Sequence, residues 1–364
     1  MKEIRKIIES YDKIDFNKLK AALASVVNVE ESSYRRIGAR MLVLSNGVWI
    51  GGISGGCLEG DALKRSQKAI FNNTPSKVVY DTMDDDSNQI GIGLGCNGRI
   101  EVVFTPIDAD DPNNEIEILR KTIDRDIPSV LIKIIESNSI PEWMGRSTLL
   151  ENISQSGMGD LPKSQLNPII AQVLENRKPT IVNLTTSSQL PLKLLIEYIR
   201  PELKLFIIGD NYDVAAMVDI AIILGWQPFI VGKIKKLGKD VFEKAKLVVD
   251  YNQLKKLPVD NYSAVILMTH DYNKDKELLP YLISQKPGYL GMLGPKKRMI
   301  KMQKELGDLD LSALKNFYSP VGLEIGAESP EEIALSISAE IVAAFRNKPG
   351  SSLKYKEGTI HERE

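Results

Sequence analysis

The stretch LKLFIIGDNYDVAAMVDIAIILG, residues 203–225, decides how the chain is read. Leu203–Ile208 is a short apolar run of strand length. Gly209–Tyr212 is a turn, and Asp213–Leu224 is an apolar helix that Gly225 ends. Downstream, further strands are expected at Phe229–Val231, Ala264–Met268 and Tyr289–Leu293, with helical segments between them. Strands alternating with helices form a parallel sheet joined by right-handed crossovers. The last helix of this half is well punctuated. Ser329 is placed to cap it, Pro330 occupies its first position and Glu332 its third, the pattern of a capping box. Arg346, Lys348 and Pro349-Gly350 mark its end near Asn347.

Upstream of residue 200 the character changes to short strand-like runs and glycine-rich turns. Helical patterns are expected at Ile4–Ile8 and Phe16–Val27. Met41–Ser45 and Val48–Ile50 read as a hairpin about Asn46-Gly47, the pair favoured in a type I′ turn. A helix is expected over Leu58–Phe71, strands at Lys77–Tyr80, Arg99–Phe104 and Val130–Ile135, and helices at Asn167–Asn176 and Leu192–Arg200. The expected layout is an α/β chain. An N-terminal α+β domain covers residues 1–200, a Rossmann-like parallel-sheet domain covers 201–348, and a polar tail covers 349–364.

Composition narrows the function classes. The 364 residues carry 47 Lys and Arg against 48 Asp and Glu, a net charge of −1. That balance gives no broad electrostatic case for nucleic acid or an acidic membrane surface. No apolar run approaches membrane-span length, and the charged first residues do not resemble a secretion signal. Two Cys and two His exclude a disulfide framework and a four-cysteine cluster on one chain. A reducing, cytoplasmic setting is expected. Symmetric dimers are the commonest soluble assembly, so a homodimer is the expected state.

Three constellations could carry chemistry. Gly209-Asp210-Asn211-Tyr212-Asp213-Val214 stands where a dinucleotide fold has G-x-G-x-x-G, but only the first glycine is present. The second strand ends Val231-Gly232-Lys233, without the acid that holds a ribose. NAD(P) is therefore not expected to bind in the usual manner, although a helix start can still take a phosphate near Gly209. Thr269-His270-Asp271 ends a parallel strand, where ligands bind in such sheets. His270 reads either as a proton-transfer group or as part of a helix-capping cluster with Asp271. The two cysteines lie in glycine-rich loops, Gly55-Gly56-Cys57-Leu58-Glu59 and Gly93-Leu94-Gly95-Cys96-Asn97-Gly98. Each reads as a small buried side chain or as a reactive, soft-metal-binding thiol. Cys57 precedes a helix whose dipole favours a thiolate, and Glu59 opposes it. The acidic run Asp84–Asp86 reads as a solvated loop.

Taken in order, these motifs resemble the xanthine dehydrogenase accessory (XdhC/CoxI) family. The resemblance rests on Gly52–Glu59, Gly91–Gly98, Met268–Asp271, Tyr289–Gly294, Pro320–Ala327 and Ser329–Ile337. It covers roughly residues 35–105 and 200–345. It implies an accessory domain joined to a Rossmann-like domain, binding of the molybdenum cofactor (molybdopterin), and delivery to an apo-molybdoenzyme of the xanthine dehydrogenase type. It also implies a part in cofactor sulfuration with a cysteine desulfurase as partner. The implied cofactor-binding residues are Gly55, Gly56, Cys57, Glu59, Gly95, Cys96, Gly98 and Gly209. Cys57 and Cys96 are the implied molybdenum contacts, and His270 and Asp271 are candidate catalytic groups. The family usually carries Gly-x-Gly-His-Asp where this chain has Gly209–Asp213, and an acid where Gly232 stands. Those departures make the cysteine loops the better candidate site. The competing reading is an NAD(P)-dependent oxidoreductase centred on His270.

Overall fold

The structure, a computed structural model, describes residues 1–31, 35–81, 98–137, 139–158, 161–307 and 309–357. The chain divides into two compact units, one holding Met1–Pro201 and the other Glu202–Tyr355. The first unit runs α1 (Lys2–Tyr11), β1 (Ala21–Glu31), β2 (Arg40–Leu44), β3 (Trp49–Gly51), α2 (Glu59–Asn72), β4 (Ser76–Asp81), β5 (Gly98–Ile107), α3 (Glu115–Arg120), β6 (Ser129–Glu136), β7 (Ser147–Leu149), α4 (Lys163–Asn176), β8 (Thr180–Thr185) and β9 (Pro191–Ile199). Its strands form two antiparallel sheets, ordered β3-β2-β1-β5-β4 and β7-β6-β9-β8.

Two expected helices are strands. Phe16–Val27 contributes to β1, and Leu192–Arg200 is β9. The reason is burial on both faces, which removes the alternation that marks a half-exposed strand. In β1, Ala24 and Val26 pack with Ala62 and Ala69 of α2, while Ala21 and Leu23 pack with Ile7 and Ile8 of α1. In β9, Leu192, Leu194 and Ile196 pack with Leu166, Ile170 and Val173 of α4, while Ile199 joins the α1 cluster. The hairpin of β2 and β3 forms as expected, but its turn differs. Gly47 is the turn's left-handed residue, with φ of 89°, and its amide donates to Leu44 O at 2.9 Å. That is a three-residue loop, a tight turn followed by a left-handed glycine, not a type I′ turn.

The second unit runs β10 (Lys204–Ile208), α5 (Asp213–Leu224), β11 (Gln227–Val231), α6 (Lys239–Lys244), β12 (Leu247–Val249), β13 (Ser263–Leu267), α7 (Tyr272–Ser284), β14 (Tyr289–Met292), α8 (Lys296–Leu306), β15 (Phe317–Tyr318) and α9 (Pro330–Phe345). All six strands are parallel, in the order β12-β11-β10-β13-β14-β15. Counted from β10, this is the 3-2-1-4-5-6 order of a doubly wound dinucleotide fold. One sheet face is covered by α5 and α9 through Val214, Met217, Ala221, Ala334, Ile337 and Ile341. The other is covered by α7 and α8 through Leu278, Leu279, Leu282 and Met302. The capping box is present: the Glu332 amide donates to Ser329 Oγ at 3.2 Å, and the Ser329 amide donates to Glu332 Oε2 at 3.1 Å. β12 and β15 have only three and two residues, too few to stand out as periodic runs. Among the described residues no helix is long and apolar enough to cross a membrane.

Candidate functional site

The first glycine loop connects β3 to α2, and its shape comes from two side chains. Ser54 Oγ accepts from the amides of Gly56 (3.2 Å) and Leu58 (3.0 Å), and donates to Glu59 Oε2 (2.5 Å). Glu59, the first residue of α2, folds back so that its Oε1 accepts from the Ser54 amide at 2.9 Å. Burial pushes the Glu59 carboxyl up, but the Ser54 hydroxyl and the surrounding amides outweigh it and hold the group below its ordinary range. Glu59 is thus turned into the loop as its anchor. Gly55, Gly56 and Cys57 lie on the exposed side of this turn. Gly56 has φ of 111°, and a Cβ there would meet nothing within 4 Å, so its backbone conformation is what requires glycine. The loop therefore presents an exposed thiol on a turn anchored from beneath. Gly98 opens β5 opposite Glu31 of β1. Gly95, Cys96 and the acidic run Asp84–Asp86 lie outside the described residues. Among the described residues no group of three or more His, Cys, Asp or Glu side chains is placed to hold a metal ion.

The second candidate region is the switch point of the parallel sheet, where the chain leaves β10 on one side and β13 on the other. Gly209 follows β10 and is buried. A Cβ there would stand 2.5 Å from Met268 O, so crowding between neighbouring strand ends requires this glycine. Asp210 faces the end of β11. Its carboxylate accepts from the Lys233 amide, Lys236 Nζ and Tyr251 OH, each at 3.0 Å. Burial pushes the Asp210 carboxyl up, but these three donors prevail and hold it below its ordinary range. The Asn211 side chain donates to Thr269 O at 3.2 Å, across the switch point. Asp213, the first residue of α5, puts a carboxylate at the helix start. A pyrophosphate needs bare backbone amides and a positive helix end there. This turn offers an asparagine side chain and two acids instead, so it does not fit NAD(P) bound in the usual way.

His270 and Asp271 separate in role. Asp271 caps α7, its Oδ1 accepting from the amides of Asn273 (2.9 Å) and Lys274 (3.1 Å). His270 points the other way: its Nε2 donates to Asp213 Oδ2 at 2.7 Å. Its backbone is left-handed, with φ of 58°. The other Asp213 oxygen, Oδ1, is buried with no hydrogen-bond partner among the described residues. Beneath this pair, Thr269 Oγ1 donates to the buried Asp275 at 2.6 Å, and Arg298 of α8 closes an ion pair on the same carboxylate. Burial pushes the Asp275 carboxyl up despite Thr269 and Arg298. This strut ties the β13–α7 loop to the start of α8. The motifs around Gly209, His270 and Gly294, and the stretch Pro320–Ala327, all follow the C-terminal ends of parallel strands, the edge at which such sheets bind ligands.

Reading the sequence alone missed two groupings. One is the partnership of Asp213 with His270, 57 positions apart, which no spacing rule reveals. The other is a buried charge cluster in the first unit. Arg40 donates to Glu115 Oε1 (2.9 Å) and forms a fork on Glu197 (2.6 and 3.1 Å), and Lys133 pairs with Glu115. The signal for it is a charge flanked on both sides by apolar residues within a strand, Lys133 in VLIKII and Glu197 in LLIEYI.

Comparison with known proteins places these features. Residues 205–341 match the XdhC Rossmann domain, and residues 17–81 match the XdhC and CoxI family. A Bacillus subtilis (strain 168) protein described as a probable xanthine dehydrogenase component is 30% identical over 334 residues, 88% of this chain and 92% of that protein. The molybdenum cofactor insertion chaperone PaoD of Escherichia coli (strain K12) is 23% identical over 328 residues, 89% of this chain and 83% of that protein. A crystal structure of a xanthine dehydrogenase from Bacillus halodurans matches with a TM-score of 0.73 at 28% identity, covering 96% of this chain and 98% of that one. With the six-stranded parallel sheet, the two domain matches and a relative similar along almost its whole length, the chain belongs to the XdhC and CoxI family.

Proposed function

We propose that the protein is a molybdenum-cofactor chaperone. It binds the cofactor, assists its sulfuration with a cysteine desulfurase, and passes it to an apo-molybdoenzyme of the xanthine dehydrogenase type. The observation that carries this reading is similarity over 89% of the chain to a protein named as a molybdenum cofactor insertion chaperone. The chemistry of the first unit agrees with it. Cys57 offers an exposed thiol on an anchored glycine turn, and thiolates suit a soft, sulfur-rich metal centre. In this reading Cys57 and Cys96 approach molybdenum or carry its sulfur, and the residues around Gly55, Gly56, Gly95 and Gly98 shape the loops that hold them. The cofactor is cargo, so the protein needs to hold and release it rather than turn it over. The proposed division of labour gives residues 1–200 to the metal-facing domain and residues 201–348 to the Rossmann-like domain. The proposed setting is cytoplasmic, with the protein acting as a homodimer.

The test is direct. Protein purified from a molybdenum-replete host should carry a molybdopterin mass, approaching about one per chain. Cys57→Ala combined with Cys96→Ala should lower that content. Equal content in the double variant removes the thiols from the reading, and no pterin in the wild-type protein removes the chaperone.

A further inference from the structure

We propose that the switch point of the second unit holds a flat heterocycle by its hydrogen-bond-donating edge, with Asp213 as the acceptor. The ring carries a 2-amino-4-oxopyrimidine edge, the chemistry shared by pterins and guanine. Four observations meet at one place. The sheet order puts the switch point between the loops after β10 and β13, where doubly wound sheets take ligands. There Asp213 Oδ2 is held by His270, and Asp213 Oδ1 is buried with no donor among the described residues. An unpaired buried acceptor is unfavourable, and a ligand N–H relieves it. His270, which makes this contact, has a left-handed backbone, a conformation that side-chain-bearing residues adopt at a cost. Tyr212, next to Asp213, leaves 82% of its surface exposed, a platform on which a flat ring can stack.

The same groups say what the switch point does not take. Asp210 and Asp213 repel a phosphate at the start of α5, and the Asn211 side chain stands where a pyrophosphate needs a bare glycine. A donor-rich ring with its phosphate held well away fits better than a nucleotide whose phosphates must enter the turn. His270, its side chain 49% exposed, stays on Asp213 Oδ2 and leaves Oδ1 to the ring. It acts as a positioning residue, orienting the Asp213 carboxylate. The choice of a pterin over guanine rests on the proposed cofactor; the site itself does not.

The experiment uses the full chain and a fluorescent probe, 6-hydroxymethylpterin, titrated with guanosine monophosphate and NAD+ in parallel. Wild-type protein should quench the probe saturably. Asp213→Asn, which turns an acceptor partly into a donor, should weaken binding roughly ten-fold. Tyr212→Ala should weaken it as well, and this exposed position leaves folding intact. His270→Ala should weaken binding, and His270→Gln, which can still donate to Asp213, should restore part of it. Unchanged affinity in Asp213→Asn, no pterin binding by the wild type, or displacement by NAD+ overturns the proposal. Tighter binding of guanosine monophosphate than of the pterin reassigns the ring and overturns the pterin half. Molybdopterin content of the purified Asp213→Asn protein separates the two readings. If the variant keeps the wild-type content, the chaperone stands and this placement falls. If the wild type carries no molybdopterin yet binds the probe through Asp213, the placement stands and the chaperone falls.

Discussion

Asp210 occupies the second position of a broken glycine fingerprint, and it has become structural. One buried carboxylate serves the amide after β11, a lysine of the following turn and the hydroxyl of Tyr251. An asparagine there keeps one acceptor but loses the charge and turns an NH2 group toward one of these donors, a loss of about 1–3 kcal/mol for such groups. Asp210→Asn should therefore lower the urea midpoint of the second unit without touching any thiol chemistry. The pH dependence has a definite sign. The folded carboxyl lies below its ordinary value, so its contribution is full above the unfolded pKa of about 3.9 and is lost as pH falls through the folded value. Wild type and Asp210→Asn should converge in stability under acid and diverge near neutrality. A constant gap from acid to neutral pH contradicts the assigned role. The residue scale is also where sequence reading is weakest. Asp213 reads as a charge unfavourable to phosphate, yet its use is set by His270, which arrives from another strand.

Individual elements were legible in proportion to how one-sided their surroundings are. The capped helix α9 announces itself because its signals are local. Ser329, Pro330 and Glu332 act on backbone groups within one turn, and the structure has them in those roles. Ser329→Ala should cost about 1 kcal/mol of stability, the usual worth of an N-cap. Thermal unfolding followed on the second unit checks this, and a loss near zero means that the cap is not needed to hold α9. By contrast β1 and β9 look helical because packing covers both of their faces, and alternation is a signal only where one face meets water. β10 and β13 are also buried throughout. They are still legible, because a glycine turn or a polar Thr-His-Asp end punctuates each. In these two strands punctuation carries the signal that periodicity does not.

Across the whole molecule, each unit has its own core, and the first is unusual in burying four charges together. Arg40, Glu115 and Lys133 are almost wholly buried, and Glu197 is nearly so. Their elements are β2, α3, β6 and β9, so the cluster joins strands from both sheets of the unit. Burial pushes the Glu115 carboxyl up, but Lys133 and Arg40 dominate and hold it at about 2. Desolvation makes such a cluster poor as a source of net stability, yet removing one member leaves partners uncompensated, at about 3–5 kcal/mol. Glu115→Gln should therefore destabilise the first unit strongly. The effect should fade in acid, because a carboxyl held below its unfolded value of about 4.3 contributes above that value and loses the contribution as pH falls toward the folded one. Tryptophan placement makes the unit-specific claim measurable: Trp49 and Trp143 lie in the first unit and Trp226 in the second. In urea, a protein retaining only Trp226 should unfold at the same midpoint with or without Glu115→Gln. Proteins retaining Trp49 or Trp143 should show the midpoint fall. A common shift of all three reporters means that the two units unfold as one, and that the charge cluster supports the entire chain rather than the two sheets around it.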